Sequence, residues 1–145
     1  MAVTAKLYGK FFNLLTAKDV DLDSDTLKVM LCTSSYAPNQ DTHEFKGDVT
    51  NEAVGTGYTA GGQALASVTT SYTGATNIWA LDAADSTWAG STITARYAVV
   101  YDSTSGSDAA RRLIGYVDFG ADVSSTNGTF TITWAAGGIV AVTVA

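Results

Sequence analysis

The sequence contains one cysteine, one proline and one histidine among its 145 residues. The single cysteine, Cys32, excludes an internal disulfide and argues against a zinc site built on several thiolates. The single histidine, His43, is the only possible base for Ser–His–Asp or Cys–His catalysis. It lies in a polar segment beside Glu44, and no glycine-flanked nucleophile motif accompanies it. We therefore predict that the protein is not an enzyme and carries no metal or cofactor.

Charged residues are scarce as well. They make up 15% of the chain, against about 25% in average globular domains. The net charge is −6, from 8 basic and 14 acidic residues, whereas nucleic-acid binding needs clustered Lys and Arg. The basic doublet Arg111–Arg112 has Asp108 nearby, so we predict no nucleic-acid partner. A surface of small neutral side chains suits packing against neighbouring proteins, and it equally suits an ordinary Thr-rich sandwich.

Long apolar runs are missing too. No stretch approaches the roughly 18 apolar residues that suggest a membrane-spanning helix, and the N-terminal segment does not read as a signal peptide. We expect synthesis in the cytoplasm and no membrane partner. The length suits one domain, which we place at 1–145, with an N-terminal arm or helix at 1–26 and a sandwich at 27–144.

Alternation of apolar and polar residues dominates what is present. It predicts strands at 27–33, 64–72, 77–81, 92–102, 112–119, 129–134 and 139–144. Strands at such regular spacing predict a mainly β fold, either a single antiparallel β-sandwich or a jelly-roll-like domain. The Asn127-Gly128 pair, with strands on both sides, predicts a hairpin turn. Strict alternation assigns one face of the longest strand to Ile93, Ala95, Tyr97, Val99 and Tyr101.

The first 26 residues leave two structures open. Apolar residues at 7, 11, 14 and 15 have helical spacing and predict a short amphipathic helix; the alternative is an extended arm across a neighbouring subunit. Asp19, Asp21, Asp23 and Asp25 then alternate like the start of a calcium loop. An EF-hand needs Gly at the sixth position and Glu at the twelfth, where this chain has serine and methionine. We therefore favour a solvated turn over a metal site.

One long segment, 36–62, lacks a strand pattern, and we call it the excursion. Its start can form a turn capped by Asn39, and its glycines do not complete a nucleotide-binding GxGxxG motif because Ala60 occupies the last position. We predict that the excursion projects from the sandwich and contacts a partner. Deletion of 48–61 is then expected to leave the domain folded but unable to assemble. The predicted partner-contact residues are Tyr36, Asn39, Gln40, His43, Phe45, Gly55, Gly57 and Tyr58.

A carbohydrate site is a further possibility, because paired carboxylates for glycoside hydrolysis are conceivable in a β protein with tryptophans. Trp79 or Trp88 would form the platform, and Asp82, Asp85 or Asp118 would supply carboxylates for hydrolysis. The aspartates read equally well as turn or strand residues, and the tryptophans as core residues.

Several blocks of sequence occur in a specific order. They are DSDTLKVMLCTSSY at 23–36, YAPNQDTH at 36–43, NEAVGTGYTAGG at 51–62, LDAADSTWAGSTITARYAVVYD at 81–102, LIGYVDFG at 113–120 and FTITWAAGGI at 130–139. In this order they resemble a family of small structural proteins encoded by tailed bacteriophages. The resemblance covers nearly the whole chain.

The resemblance implies a non-enzymatic virion protein, made in the host cytoplasm, that forms homo-oligomers and contacts the major capsid protein or other virion proteins. The acidic charge favours the outer face of the shell, away from DNA, and hence capsid decoration or cementing. A head–tail junction or tail component is the alternative. A carbohydrate-binding module for host attachment is an alternative of another class.

Overall fold

The computed structural model describes residues 2–144. The fold is mainly β, with two antiparallel sheets in a sandwich-like arrangement and one short helix, as the alternation predicted. The elements are β1 (Thr4–Leu7), α1 (Phe11–Thr16), β2 (Leu27–Cys32), a 3-10 turn (Lys46–Asp48), β3 (Gln63–Ala64), β4 (Thr69–Thr73), β5 (Ile78–Asp82), β6 (Ser86–Asp102), β7 (Leu113–Ile132) and β8 (Val140–Thr143).

Five strands form a main sheet in the order β1-β7-β6-β2-β3, and three form a small sheet in the order β4-β5-β8. The core joins the two sheets: Val29 and Leu31 of β2 belong to the same buried cluster as Leu81 and Val140 of the small sheet. On the other face of β2, Met30 lies in a second buried cluster. The apolar character of β2 on both faces, seen in the sequence, is explained by these two clusters.

The longest strands, β6 and β7, pair along most of their length, and their pairing shifts register between Ala95 and Tyr97. Two steps along β6 correspond there to five steps along β7, since Ala95 pairs with Val123 and Tyr97 with Asp118. A bulge of this kind reverses which side chains face the core. The prediction of one continuous apolar face on β6 is therefore wrong. Ile93, Ala95, Ala98 and Val100 face the main core, while Tyr97, Val99 and Tyr101 belong to the second cluster.

The predicted hairpin at Asn127-Gly128 is also wrong. Both residues lie inside β7, where Gly128 pairs with Ser91, and Asn127 adopts a positive φ of 46°. The left-handed conformation that the dipeptide favours is used for a bulge instead of a chain reversal. As a result, the strands predicted at 112–119 and 129–134 are largely parts of one strand, and the chain reverses between β6 and β7 at 103–112.

Two other predicted boundaries change. The strand predicted at 64–72 is divided between β3 in the main sheet and β4 in the small sheet. The N-terminal helix is shorter than predicted, because Thr4–Leu7 is extended and pairs with Gly115–Asp118 of β7. The helix that follows buries Phe11 and Leu14, as its spacing indicated.

A buried carboxyl at the end of β6 gives a pH prediction. Asp102 is 3% exposed, and this burial raises its pKa above 3.8. The hydrogen bond with the side chain of Asp25 and the negative charge of that residue raise the pKa further. Because the folded-state pKa exceeds the unfolded one, ionised Asp102 lowers stability at neutral pH, and this loss is relieved as the pH falls towards 3.8. We expect Asp102→Asn, which keeps an oxygen to accept from the Thr104 N–H, to be more stable than wild type at pH 7.

Urea unfolding at several pH values tests this prediction. The stability difference between Asp102→Asn and wild type should shrink as the pH falls through the raised pKa of Asp102. Asp122→Asn, at an exposed position of β7, is the matched control and should show no gain. A variant that is less stable than wild type at pH 7 would mean that the Asp102 charge is favourably paired.

Candidate interaction surfaces

The first part of the excursion covers the outer face of the main sheet. Tyr36 is 1% exposed, and its hydroxyl lies 2.8 Å from that of Tyr8 and 3.1 Å from Nδ1 of His43. Burial raises the pKa of Tyr36 to about 12 and that of the neighbouring Cys32 thiol to about 12. Both groups are therefore neutral core groups. Tyr36 was predicted to contact a partner, but its side chain is not at the surface of this chain.

The turn after Tyr36 forms as predicted. The side-chain oxygen of Asn39 accepts hydrogen bonds from the N–H groups of Asp41 and Thr42, both at 3.1 Å, and its carbonyl accepts from the N–H of His43. This capping holds the turn against the sheet and leaves Asn39 exposed. Gln40 and His43 are half-buried, so these three residues remain accessible to a partner in different degrees.

Ion pairs fasten the excursion to the rest of the chain. Glu44 accepts from Lys10 at 2.7 Å and from Arg112 at 3.5 Å. The Arg112 guanidinium also lies 4.5 Å from the ring centroid of Phe45, which is therefore partly covered. Lys46 pairs with an aspartate of the 103–112 loop at 2.8 Å. These contacts make the predicted partner residue Phe45 part of an internal contact.

The second part of the excursion runs along the edge of β2. The Leu31 N–H donates to the Tyr58 hydroxyl at 3.0 Å, and the Leu31 carbonyl accepts from the Ala53 N–H at 2.8 Å. The Tyr58 hydroxyl donates in turn to Glu52 at 2.8 Å, and burial raises the pKa of Tyr58. The excursion thus satisfies backbone groups that an edge strand would otherwise expose. The prediction that it projects from the sandwich is wrong.

Two predicted contact residues, Gly55 and Gly57, lie where the excursion crosses β6. The neighbouring Thr56 forms a bridge with Thr92, and a Cβ built on Gly55 would overlap the Thr92 carbonyl oxygen. Their backbone is solvent-exposed on the other side, and the adjacent Val54 is 86% exposed. The lack of a side chain at these two glycines therefore allows the excursion to pack closely against β6. The opposite side of their backbone remains open to solvent.

A second surface, which the sequence did not single out, lies at the end of the small sheet. Tyr72, Trp79 and Val142 pair across its three strands. On each strand, these residues lie two positions away from the row that contains the core residues Leu81 and Val140. Because side chains alternate between the two faces of a strand, both rows point to the same face of the sheet. We call this surface the overhang, because it continues the inner face of the sandwich to the surface. It is a shallow groove lined by Phe12, Leu15, Tyr72, Trp79, Val142 and Val144.

The overhang is apolar and open. Phe12 is 46% exposed, Tyr72 55% and Val144 51%. These three residues are half of the six large hydrophobic residues that are exposed within residues 2–144. None of its six side chains is charged. Contiguous exposed apolar surface of this kind marks interaction sites in soluble proteins.

Charges of both signs lie beside the overhang. A neighbouring groove shares Leu15 and Trp79 with it and is also lined by Lys18, Asp21 and Asp23. Within residues 2–144, none of these three charged side chains takes part in an ion pair with another side chain. The Ser24 hydroxyl and the Asp23 N–H donate hydrogen bonds to the Asp21 carboxylate and lower its pKa.

The candidate carbohydrate residues take part in separate structural contacts. Trp88 is 5% exposed and packs edge-on against Phe130, so it is a core residue. Asp118 belongs to the main sheet, and its hydrogen bond with Arg96 lowers its pKa, which favours a permanent carboxylate over a general acid. Asp82 lies on the small sheet, and Asp85 accepts from the Trp134 N–H at 3.1 Å. Trp79 alone remains partly exposed.

Across residues 2–144, no group of three or more His, Cys, Asp or Glu side chains is arranged to hold a metal ion. In the same range, no helix has the length and apolar character to span a bilayer. Comparison with protein-family models, curated proteins and solved structures found no match.

Proposed function

We propose that this chain is a non-enzymatic structural subunit of a bacteriophage virion, which decorates or cements the capsid exterior. In this role it contacts the major capsid protein or other virion proteins and further copies of itself. The order of the sequence blocks that resemble phage structural proteins supports the class of protein. The overhang supports a role in protein–protein contact, since contiguous exposed apolar surface marks interaction sites.

The energetics of the overhang favour assembly. Burying apolar surface contributes about 25 cal/mol per Å², and Phe12, Tyr72 and Val144 are each about half exposed. A shell contains many copies of each subunit, so modest contacts multiply into a firm attachment. The net charge of −6 is compatible with an outer face of the shell, where the subunit does not meet packaged DNA.

Quantitative mass spectrometry of purified virions tests this function. A decoration protein should be present in a copy number comparable with that of the major capsid protein. A head–tail junction or tail component should be present at a small fraction of it. Absence from purified virions would contradict both positions and the virion assignment itself.

A carbohydrate-binding module for host attachment is the second candidate. The observation that favours it is the cross-strand pair of Tyr72 and Trp79, two partly exposed aromatic rings on one face. Such rings can stack on the apolar face of a sugar, and the nearby Asp23, which already accepts from the Thr70 hydroxyl at 2.9 Å, retains a second oxygen to accept a hydrogen bond. A glycan array without hits would remove this candidate.

A further inference from the structure

We propose that a groove between the two sheets binds an extended apolar peptide segment of a partner protein. The segment pairs as an added strand with the free edge of β1 and accepts a hydrogen bond from the Trp134 indole. The inference goes beyond the proposed function, because it concerns another surface and holds for any partner with such a segment. Its test uses the isolated protein, so that either proposal can fail alone.

The groove consists of two adjoining cavities. They have volumes of about 250 and 300 Å³ and share Ala5, Val117 and Ile139 in their walls. Together they reach the size of typical ligand pockets, roughly 300–1,000 Å³. Ala5 pairs with Val117 of β7, and Ile139 immediately precedes β8. The groove therefore lies where the two sheets meet along β1 and β8.

Both strands that border the groove are outermost in their sheets. β1 is the first strand of the main sheet and β8 the last strand of the small sheet, so each has one edge without a strand neighbour. Such an edge presents alternating N–H and C=O groups, which an extended main chain can match along its length. Val3, Ala5 and Leu7 alternate along β1 and line the groove. An added strand places every second side chain beside them, so the segment should be apolar at every second position.

A buried donor lies in the wall of the larger cavity. Trp134 is 9% exposed and lines this cavity. Its indole Nε1 is the one buried side-chain nitrogen or oxygen within residues 2–144 that has no hydrogen-bond partner. A buried donor without a partner costs free energy, and a carbonyl oxygen that enters the cavity can remove this cost. The indole therefore points to a ligand with a hydrogen-bond acceptor.

The charges around the groove favour a neutral acceptor such as a peptide carbonyl. None of the side chains that line the larger cavity is charged, and the Asp85 carboxylate already accepts from the Trp134 backbone N–H at 3.1 Å. A second carboxylate beside Trp134 would be repelled and would lack a cation. A fatty acid could instead pair with Lys6, which lines the smaller cavity, but its alkyl chain would leave the indole N–H unpaired. A peptide supplies neutral carbonyls together with the N–H groups that pair with β1.

Titration of ¹⁵N-labelled protein with a synthetic peptide tests the site. The probe is a capped seven-residue peptide in which threonine and valine alternate, and the control is the same peptide with every amide nitrogen methylated. The three tryptophans give three indole signals, and Trp134→Phe identifies the signal of Trp134. We expect the probe to bind with a Kd below about 1 mM and to move the Trp134 indole proton downfield, while the signals of Trp79 and Trp88 move little. The methylated peptide should not bind.

Two matched substitutions on β1 test where the peptide lies. Ala5→Phe fills the groove with a ring and should raise the Kd at least tenfold. Thr4→Phe places the same ring on the opposite face of β1 and should leave the Kd nearly unchanged. Both positions are exposed, so both variants should fold, which circular dichroism checks. Trp134→Phe keeps an aromatic ring without the donor and should weaken binding roughly five-fold.

The site would be overturned by a lack of binding up to about 1 mM peptide, by equal binding of the methylated peptide, or by binding that leaves the Trp134 indole signal in place. Binding of laurate in place of the peptide would overturn it in favour of a lipid. A dimer of the protein alone that Ala5→Phe dissociates would overturn it in favour of a second copy. Peptide binding by a protein that is absent from virions would overturn only the proposed function.

Discussion

Replacing Gly62 by alanine should destabilise the protein by about 3 kcal/mol or more. Gly62 has a φ of +71°, which alanine rarely adopts, and a Cβ there would overlap the carbonyl oxygen of Val29 and lie 2.7 Å from the Met30 Cα. Both contacts are with the backbone of β2, which is central to the core and cannot move away at low cost. The substitution would therefore force the end of the excursion off the edge of β2.

Thermal unfolding followed by circular dichroism measures this effect. For a chain of this size, 3 kcal/mol lowers the melting temperature by roughly 6–12 °C. Two further glycines separate the causes. Gly90→Ala tests backbone strain alone, because Gly90 has a φ of +59° but nothing within 4 Å of a built Cβ. Gly55→Ala tests overlap alone, because no positive φ accompanies its clash with the Thr92 carbonyl. If Gly62→Ala were no worse than Gly90→Ala, close packing against β2 would not be the cause.

Alternation in the sequence was enough to predict the fold class and the position of β2. It failed where long-range pairing decides the outcome. The bulge that turns Tyr97 away from the Ala95 face depends on how β6 pairs with β7, and nothing in the local pattern of β6 marks it. Likewise, Asn127-Gly128 favours the same left-handed conformation in a hairpin turn and in a bulge, so only the partner strand distinguishes the two.

The interaction surfaces were harder to predict. The excursion lacks alternation because it crosses one face of the main sheet and then follows an edge. The absence of a strand pattern therefore led to the wrong prediction that the segment projects into solvent. Val142 and Val144 alternate with polar or small neighbours and were correctly placed in or near a strand. Whether an apolar face is covered depends on how far the opposing sheet extends, and this information is spread over α1, β4, β5 and β8. Exposure of Phe12 and Tyr72 could not be read from local sequence for the same reason.

Deletion of Asp48–Gly61 should abolish the native fold, contrary to the expectation from the sequence. It removes the Tyr58 hydroxyl and the Ala53 N–H, which are the partners of the Leu31 backbone. It also removes the Gly61 carbonyl that accepts from the buried Tyr101 hydroxyl at 2.6 Å. Each buried polar group left unpaired costs about 1–3 kcal/mol, and total stabilities are only about 5–15 kcal/mol. The edge of β2 would in addition be free to pair with other chains.

A graded variant makes this argument measurable even if the deletion yields no soluble protein. Tyr58→Phe removes one hydroxyl, leaves the ring against Trp88, and should cost about 1–3 kcal/mol because the Leu31 N–H and Glu52 both lose a partner. Tyr72→Phe removes the hydroxyl of a tyrosine that is 55% exposed, where water can replace it, and should cost much less. Equal losses in urea unfolding, or a deletion variant with cooperative unfolding and a native circular dichroism spectrum, would show that the excursion is dispensable for folding. The expected difference between the two tyrosines would instead assign the excursion to the folded core.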